Sequence, residues 1–104
     1  MADDCVQVFL KLSGEHGSEE EIAAIHVLAD ELAEAIEERE AGDYDGDEFG
    51  GGFCKLFMYG PDADKLFNAV RKRLLASPLS RGGHAVKLYG QATNADVKEV
   101  RVDL

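Results

Sequence analysis

The chain has 104 residues, two cysteines, no tryptophan and a formal net charge of −10. That length makes one domain, which folding should relieve of roughly 65% of the surface its extended chain exposes; the acidity disfavours nucleic acid, since it opposes binding to a phosphate backbone. Two cysteines are too few for a disulfide framework, no apolar run approaches the roughly 20 residues of a membrane span, and Met1–Asp4 is acidic where a secretory signal would be basic, so a cytoplasmic protein with reduced thiols and no membrane partner is expected.

Cys5 to Leu12 alternates, with Val6, Val8, Leu10 and Leu12 on one side and Gln7, Phe9 and Lys11 on the other, which predicts a half-buried first strand. After the loop Ser13–Gly17, the run Ser18-Glu19-Glu20-Glu21 is a capping box: the serine oxygen can accept the Glu21 amide proton while the Glu21 carboxylate reaches back. Ile22, Ile25, Ala29, Leu32 and Ile36 then recur at helical spacing, and the helix should end near Glu40, with Gly42 beyond it. Tyr44 to Phe49 predicts a short second strand, Gly50-Gly51-Gly52 a turn, and Phe53 to Tyr59 a third strand. Cys54, Leu56 and Met58 share one face of it; Phe53, Lys55, Phe57 and Tyr59 share the other. A Cys5–Cys54 bridge stays open if the two strands are neighbours.

Gly60-Pro61 should open the second helix with proline in its first turn, helped by Asp62 and Asp64 at the positive end of the helix dipole. Ala63, Leu66, Phe67, Val70 and Leu74 are its apolar stripe, and Ser77-Pro78 stops it. His84 to Tyr89 predicts a fourth strand, with Val86 and Leu88 facing inward and Lys87 and Tyr89 outward. A turn over residues 90–96 leads to a last alternating run, Val97 to Leu104. The expected architecture is therefore α+β: a ferredoxin-like βαββαβ sandwich, an antiparallel sheet with two helices on one face, plus an extra C-terminal strand, all in one domain over residues 1–104.

The stretch from Gly42 to Phe67 resembles a family of small bacterial proteins of about this length. The resemblance lies in Asp45-Gly46, Gly50-Gly51-Gly52, Tyr59-Gly60-Pro61-Asp62-Ala63-Asp64 and Leu66-Phe67. It extends to Gly17-Ser18-Glu19-Glu20-Glu21, Leu88-Tyr89-Gly90 and Val100-Arg101-Val102, so it covers nearly the whole chain. Arg71-Lys72-Arg73 departs from it, being more basic than in the family. The family brings no activity with it, so the resemblance implies no catalytic residue and no cofactor.

Asp43, Asp45, Asp47 and Glu48 invite a metal reading, because hard cations take several oxygen ligands and Asp-x-Asp-x-Asp begins like a calcium loop. The rest of the motif fails: Glu48 stands where glycine is required and Cys54 where glutamate is. In a regular strand, moreover, Asp45 and Asp47 would share one side and Glu48 the other. Asp62 and Asp64 could act as general acid and base, although helix capping accounts for them as well. His16, His26 and His84 match no zinc spacing.

The sheet face away from the helices stands out. Alternation assigns to it Phe9, Lys11, Phe53, Lys55, Phe57, Tyr59, Lys87, Tyr89 and Arg101, a concentration of rings and cations on an acidic chain. Exposed apolar patches and aromatic–arginine surfaces mark partner-binding sites. The leading expectation is a non-enzymatic binding or regulatory module that forms a homodimer or meets a protein partner through this face. The alternative is a small metal-assisted or acid–base enzyme built on the acidic hairpin. A third possibility is a ligand pocket beside the loop Ser13–Gly17.

Overall fold

The computed structural model describes residues 4–90 and 98–104. Its elements run β1 (Asp4–Lys11), α1 (Glu19–Glu38), β2 (Asp43–Gly50), β3 (Phe53–Gly60), α2 (Ala63–Ala76), β4 (His84–Tyr89) and β5 (Lys98–Asp103), with a single 3₁₀ turn at Pro78–Ser80. The strands form one five-stranded sheet in the order β2-β3-β1-β4-β5, every neighbouring pair antiparallel. The turn expected over residues 90–96 lies outside the described residues after Gly90.

Local chemistry explains the element ends. Ser18 accepts the Glu21 amide proton and Glu21 accepts from the Ser18 backbone, closing the capping box that starts α1. The opening of α2 differs from expectation: Pro61 stands outside the helix and Asp62 is the cap, its carboxylate accepting from the amides of Asp64 and Lys65. Between β2 and β3 the chain reverses on Gly51 and Gly52, whose φ values of 63° and 85° suit the twist of a two-residue hairpin. At the sheet's far end the return from α1 presses against β3 so closely that a Cβ on Gly60 would lie 2.2 Å from the Ala41 carbonyl oxygen.

The core lies between the two helices and one sheet face. Val6, Val8 and Leu10 of β1 and Cys54, Leu56 and Met58 of β3 meet Ile25, Leu28, Leu32 and Ile36 of α1 and Leu66, Val70 and Leu74 of α2, all buried. Both helices therefore cover the same side. Ala85 is the fully buried contribution of β4. Cys5 and Cys54 are free thiols, because the register sets Cys5 opposite Tyr59 and Cys54 opposite Leu10, with the side chains on opposite faces. Among the described residues no helix is long and apolar enough to cross a membrane.

Candidate interaction face

The side of the sheet away from the helices is a grid whose rows follow from the strand registers. The first row runs Asp43, Tyr59, Cys5, Leu88 and Glu99; the second has Phe57, Gln7, Val86 and Arg101, with Gly46 at the β2 end; the third runs Glu48, Lys55, Phe9, His84 and Asp103. Phe53 and Lys11 add a further pair beyond the third row. Of the nine residues expected here, Phe9, Lys11, Phe53, Lys55, Phe57, Tyr59 and Arg101 are on this face.

Lys87 and Tyr89 are not. Antiparallel pairing with β1 sets His84 against Phe9 and Val86 against Gln7, which turns Ala85, Lys87 and Tyr89 toward the helices. A one-residue change of parity moves a whole strand's side chains to the other face. Lys87 is accommodated there because its amine lies 2.9 Å from Asp64 Oδ1 and over the rings of Phe67 and Tyr89. The Tyr89 hydroxyl donates to the same carboxylate. These donors hold the Asp64 carboxyl below its ordinary range, Tyr89 first and Lys87 second. Asp64 in turn holds the Lys87 ammonium and the Tyr89 hydroxyl in their protonated forms to higher pH.

At the end of the grid the rings interlock. Phe9 stacks on His84 with centroids 4.5 Å apart and planes at 11°, and Phe53 meets both edge-on at 6.4 and 6.2 Å. The Lys55 amine sits 5.3 Å from the centre of the Phe9 ring. Burial, with Arg101 adding to it, lowers the His84 pKa, which keeps the stacked imidazole neutral at pH 7. Cys5 lies beneath the surface at 1% exposure, and its burial pushes the thiol up. Val86 is buried and Leu88 half-buried on this face, while Phe9, Phe53, Phe57 and Tyr59 all keep part of their surface exposed. His84, Val86 and Leu88 were missed from sequence, and pairing β4 against β1 was the signal that could have found them; Gln7 was already set beside Phe9 and Lys11 by the alternation of β1, which Cys5 continues.

The acidic hairpin divides. A bulge between Tyr44 and Gly46 inserts Asp45 as an extra residue and shifts the alternation. Asp43 and Glu48 share the open face with Tyr59 and Lys55; burial is the main cause that raises the Cys5 and Tyr59 pKa values, and the nearby charge of Asp45 adds to it in both. Asp47 instead pairs with Leu56 on the helix side, 3.6 Å from His26 Nε2. The expected sharing of one side by Asp45 and Asp47 is therefore corrected. Among the described residues no three of histidine, cysteine, aspartate and glutamate come together as a metal-holding group. Asp62 is engaged in the α2 cap and Asp64 with Tyr89 and Lys87, so these two do not join the hairpin acids.

The loop after β1 is likewise occupied locally: Glu21 accepts from the Ser13 amide and hydroxyl. A groove of about 900 Å³ opens elsewhere, between α1 and the end of α2, lined by Val27, Leu28, Ala76, Pro78 and Leu79 with Glu31 and Arg73 at its rim. No family model, curated protein or solved structure matches the chain.

Proposed function

We propose that the chain is a ferredoxin-like, non-enzymatic binding module of the cytoplasm whose open sheet face docks a protein surface. The single observation that supports this most is the contrast across the three central strands. On the helix side their apolar residues are buried by α1 and α2; on the other side Phe9, Phe53, Phe57, Tyr59 and Leu88 stay partly exposed around Gln7 and Lys55, and no described element covers them. A sheet that stands alone in water has polar residues on its free side. Rings around two lysines give instead the anchors of a protein interface, with side chains that lose little freedom on docking.

Site-specific photocrosslinking tests the reading. A benzophenone side chain at Phe57 should capture a discrete protein, a second copy included, while the same group at Val27, 60% exposed on α1, should not. Equal yields from both positions, or none from Phe57, would refute it.

A further inference from the structure

We infer that β5 is a pairing edge: two copies of the chain join β5 to β5, antiparallel, about a twofold axis at Val102, so that their two five-stranded sheets become one. This surface is separate from the open face, and the inference stands apart from the docking reading.

The sheet has two outer edges, and they are built differently. β2 is interrupted by the bulge at Asp45, contains Gly46 and Gly50, and carries Asp43, Asp45, Asp47 and Glu48. A bulge and a run of like charge keep an edge from pairing with a second edge. β5 has neither. It pairs with β4 at every position from Lys98 to Asp103 without a bulge, contains no glycine or proline, and its charges alternate in sign. Its outward backbone groups follow from the ladder. The Leu104 amide donates inward to the Gly83 carbonyl. By antiparallel alternation Glu99, Arg101 and Asp103 therefore turn their N–H and C=O groups away from β4. Among the described residues no strand pairs with that side of β5.

Two sheets joined edge to edge about a twofold axis normal to them keep their helices on one side, so residues set opposite each other share a face. Only registers centred on a residue meet this condition. In β5, Glu99, Arg101 and Asp103 lie on the open side, and Lys98, Val100 and Val102 on the helix side, a set that Leu104 continues. Centred on Val102, the register places Arg101 against Asp103 of the second copy, and Asp103 against its Arg101. Each of these pairs exchanges both of its backbone hydrogen bonds. On the helix side Val102 meets its own counterpart and Val100 meets Leu104, twice. Val100, Val102 and Leu104 are half-buried, at the margin of a helix layer in which α2 reaches only as far as β4. The pairing covers apolar surface that the helices leave open, and each contact occurs twice, as an isologous interface requires. Lys98 and Glu99 fall outside the matched stretch.

The charges of the whole strand are consistent with this centre. Like charges meet only on diagonals, about 7–8 Å apart: Arg101 with Arg101, Asp103 with Asp103, and Glu99 with Asp103. Opposite charges meet directly. Within one copy Arg101 Nε already lies 3.0 Å from Asp103 Oδ1, with both side chains mostly exposed. The guanidinium has further donors, so it can hold the second carboxylate as well. Other centres do worse. Centred on Arg101, the register sets Arg101 against itself and Glu99 against Asp103. Centred on Val100, it pairs Glu99 with Arg101 but sets Lys98 against Val102 on the apolar side. The matched stretch is short, so the dimer should be weak, with a dissociation constant in the range of about 10 to 500 μM.

Cysteine trapping on the full chain tests the register. Val102 and its counterpart form a non-hydrogen-bonded pair with Cα atoms about 4.5 Å apart, within reach of a disulfide. With oxidised glutathione, Val102→Cys should become a covalent dimer. Val100→Cys, about 14 Å from its counterpart, should not, and the native Cys5 and Cys54 are buried. Sedimentation velocity from about 10 to 500 μM, at about 150 mM salt, should show wild type passing from monomer to dimer. Arg101→Asp and Asp103→Arg should each weaken the dimer at least about threefold, and an equimolar mixture of the two should restore it, because each supplies the sign that the other lacks. Asp103→Arg makes the chain less acidic, so general repulsion between copies would predict the opposite for that variant. A wild type that stays monomeric, equal trapping at 100 and 102, or a mixture that restores nothing overturns the inference. If a charge variant does not fold, trapping decides: a covalent dimer at 102 and not at 100 upholds the edge, and its absence overturns it. Phe57→Glu should leave the dimer unchanged; a dimer lost in that variant would move the contact to the open face and overturn the edge.

Discussion

The two faces of this sheet are made from the same strands yet obey different rules. On the helix side Val6, Val8, Leu10, Cys54, Leu56 and Met58 are at or near zero exposure, and the fold depends on their shape. On the open side Phe9, Phe53, Phe57 and Tyr59 are as apolar but only partly covered, by one another and by Lys55 and His84. Hydrophobicity alone does not separate the two; the presence of a covering helix does. The sharpest measurement compares two neighbours in β3. Leu56→Ala should cost about 2–5 kcal/mol, because it opens a cavity that packed surroundings cannot fill. Phe57→Ala should cost less than about 1 kcal/mol in the monomer while weakening whatever docks on the face. Urea unfolding at low protein concentration measures both, and equal costs would mean that the open face is part of the core.

The next effect concerns the end of the sheet, where the cover is joined to it. The segment leaving α1 crosses β3 with only hydrogens between the backbones. Gly60→Ala would put its new carbon 2.2 Å from the Ala41 oxygen, against backbone that cannot swing aside as a side chain would. The cost should be about 1–3 kcal/mol, read as a fall in Tm. A variant of unchanged Tm would show that the crossover is looser than this contact implies. A smaller loss belongs to the start of the second covering helix. Asp62→Ala removes the acceptor for two amides and should cost about 1 kcal/mol, with Asp62→Asn retaining most of the stability.

Much of this was legible in the chain itself. The capping box, the apolar stripes of both helices, the alternation of β1 and β3 and the Gly-Gly reversal are local signals, and each produced the element it indicates. Two things were not read, and both are questions of parity. In β4, His84-Ala85-Val86-Lys87-Leu88-Tyr89 has apolar groups on both sides, so its alternation fits either facing. Val86 and Leu88 suggest the core pair, but the space under the helices takes the smaller Ala85, and Lys87 finds Asp64 at the start of α2. That partner is 23 residues away in sequence and invisible to any periodicity. In β2, the bulge at Asp45 changes the facing of every later residue; Gly46, a lone glycine inside the strand at φ 135°, was the signal for it, and it was read only as weakening the strand. The residues of the open face were thus foreseen in β1 and β3, which pair directly and alternate cleanly, and misassigned in β4.

The smallest expected effect bears on that misassignment most directly. If Lys87 and Tyr89 faced outward, Asp64 would have no partner on the sheet and Asp64→Asn would leave stability alike at every pH. With both turned to the helix side, the carboxylate of Asp64 is stabilised in the folded protein, first by the Tyr89 hydroxyl and then by Lys87, so its folded pKa lies below the unfolded one. A depressed carboxyl pKa contributes stability above the unfolded value, near 3.9, and loses it as pH falls through the folded value. At the alkaline end the signs reverse: Lys87 and Tyr89 have folded pKa values raised chiefly by Asp64, so their contribution is complete below about pH 10 and fades as pH climbs through those raised values. The stability gap between wild type and Asp64→Asn should therefore form a plateau from about pH 4 to 10 and shrink on both sides. Thermal melts across that range measure it. A flat difference at both ends, or none on the plateau, would show that β4 carries these side chains on the other face.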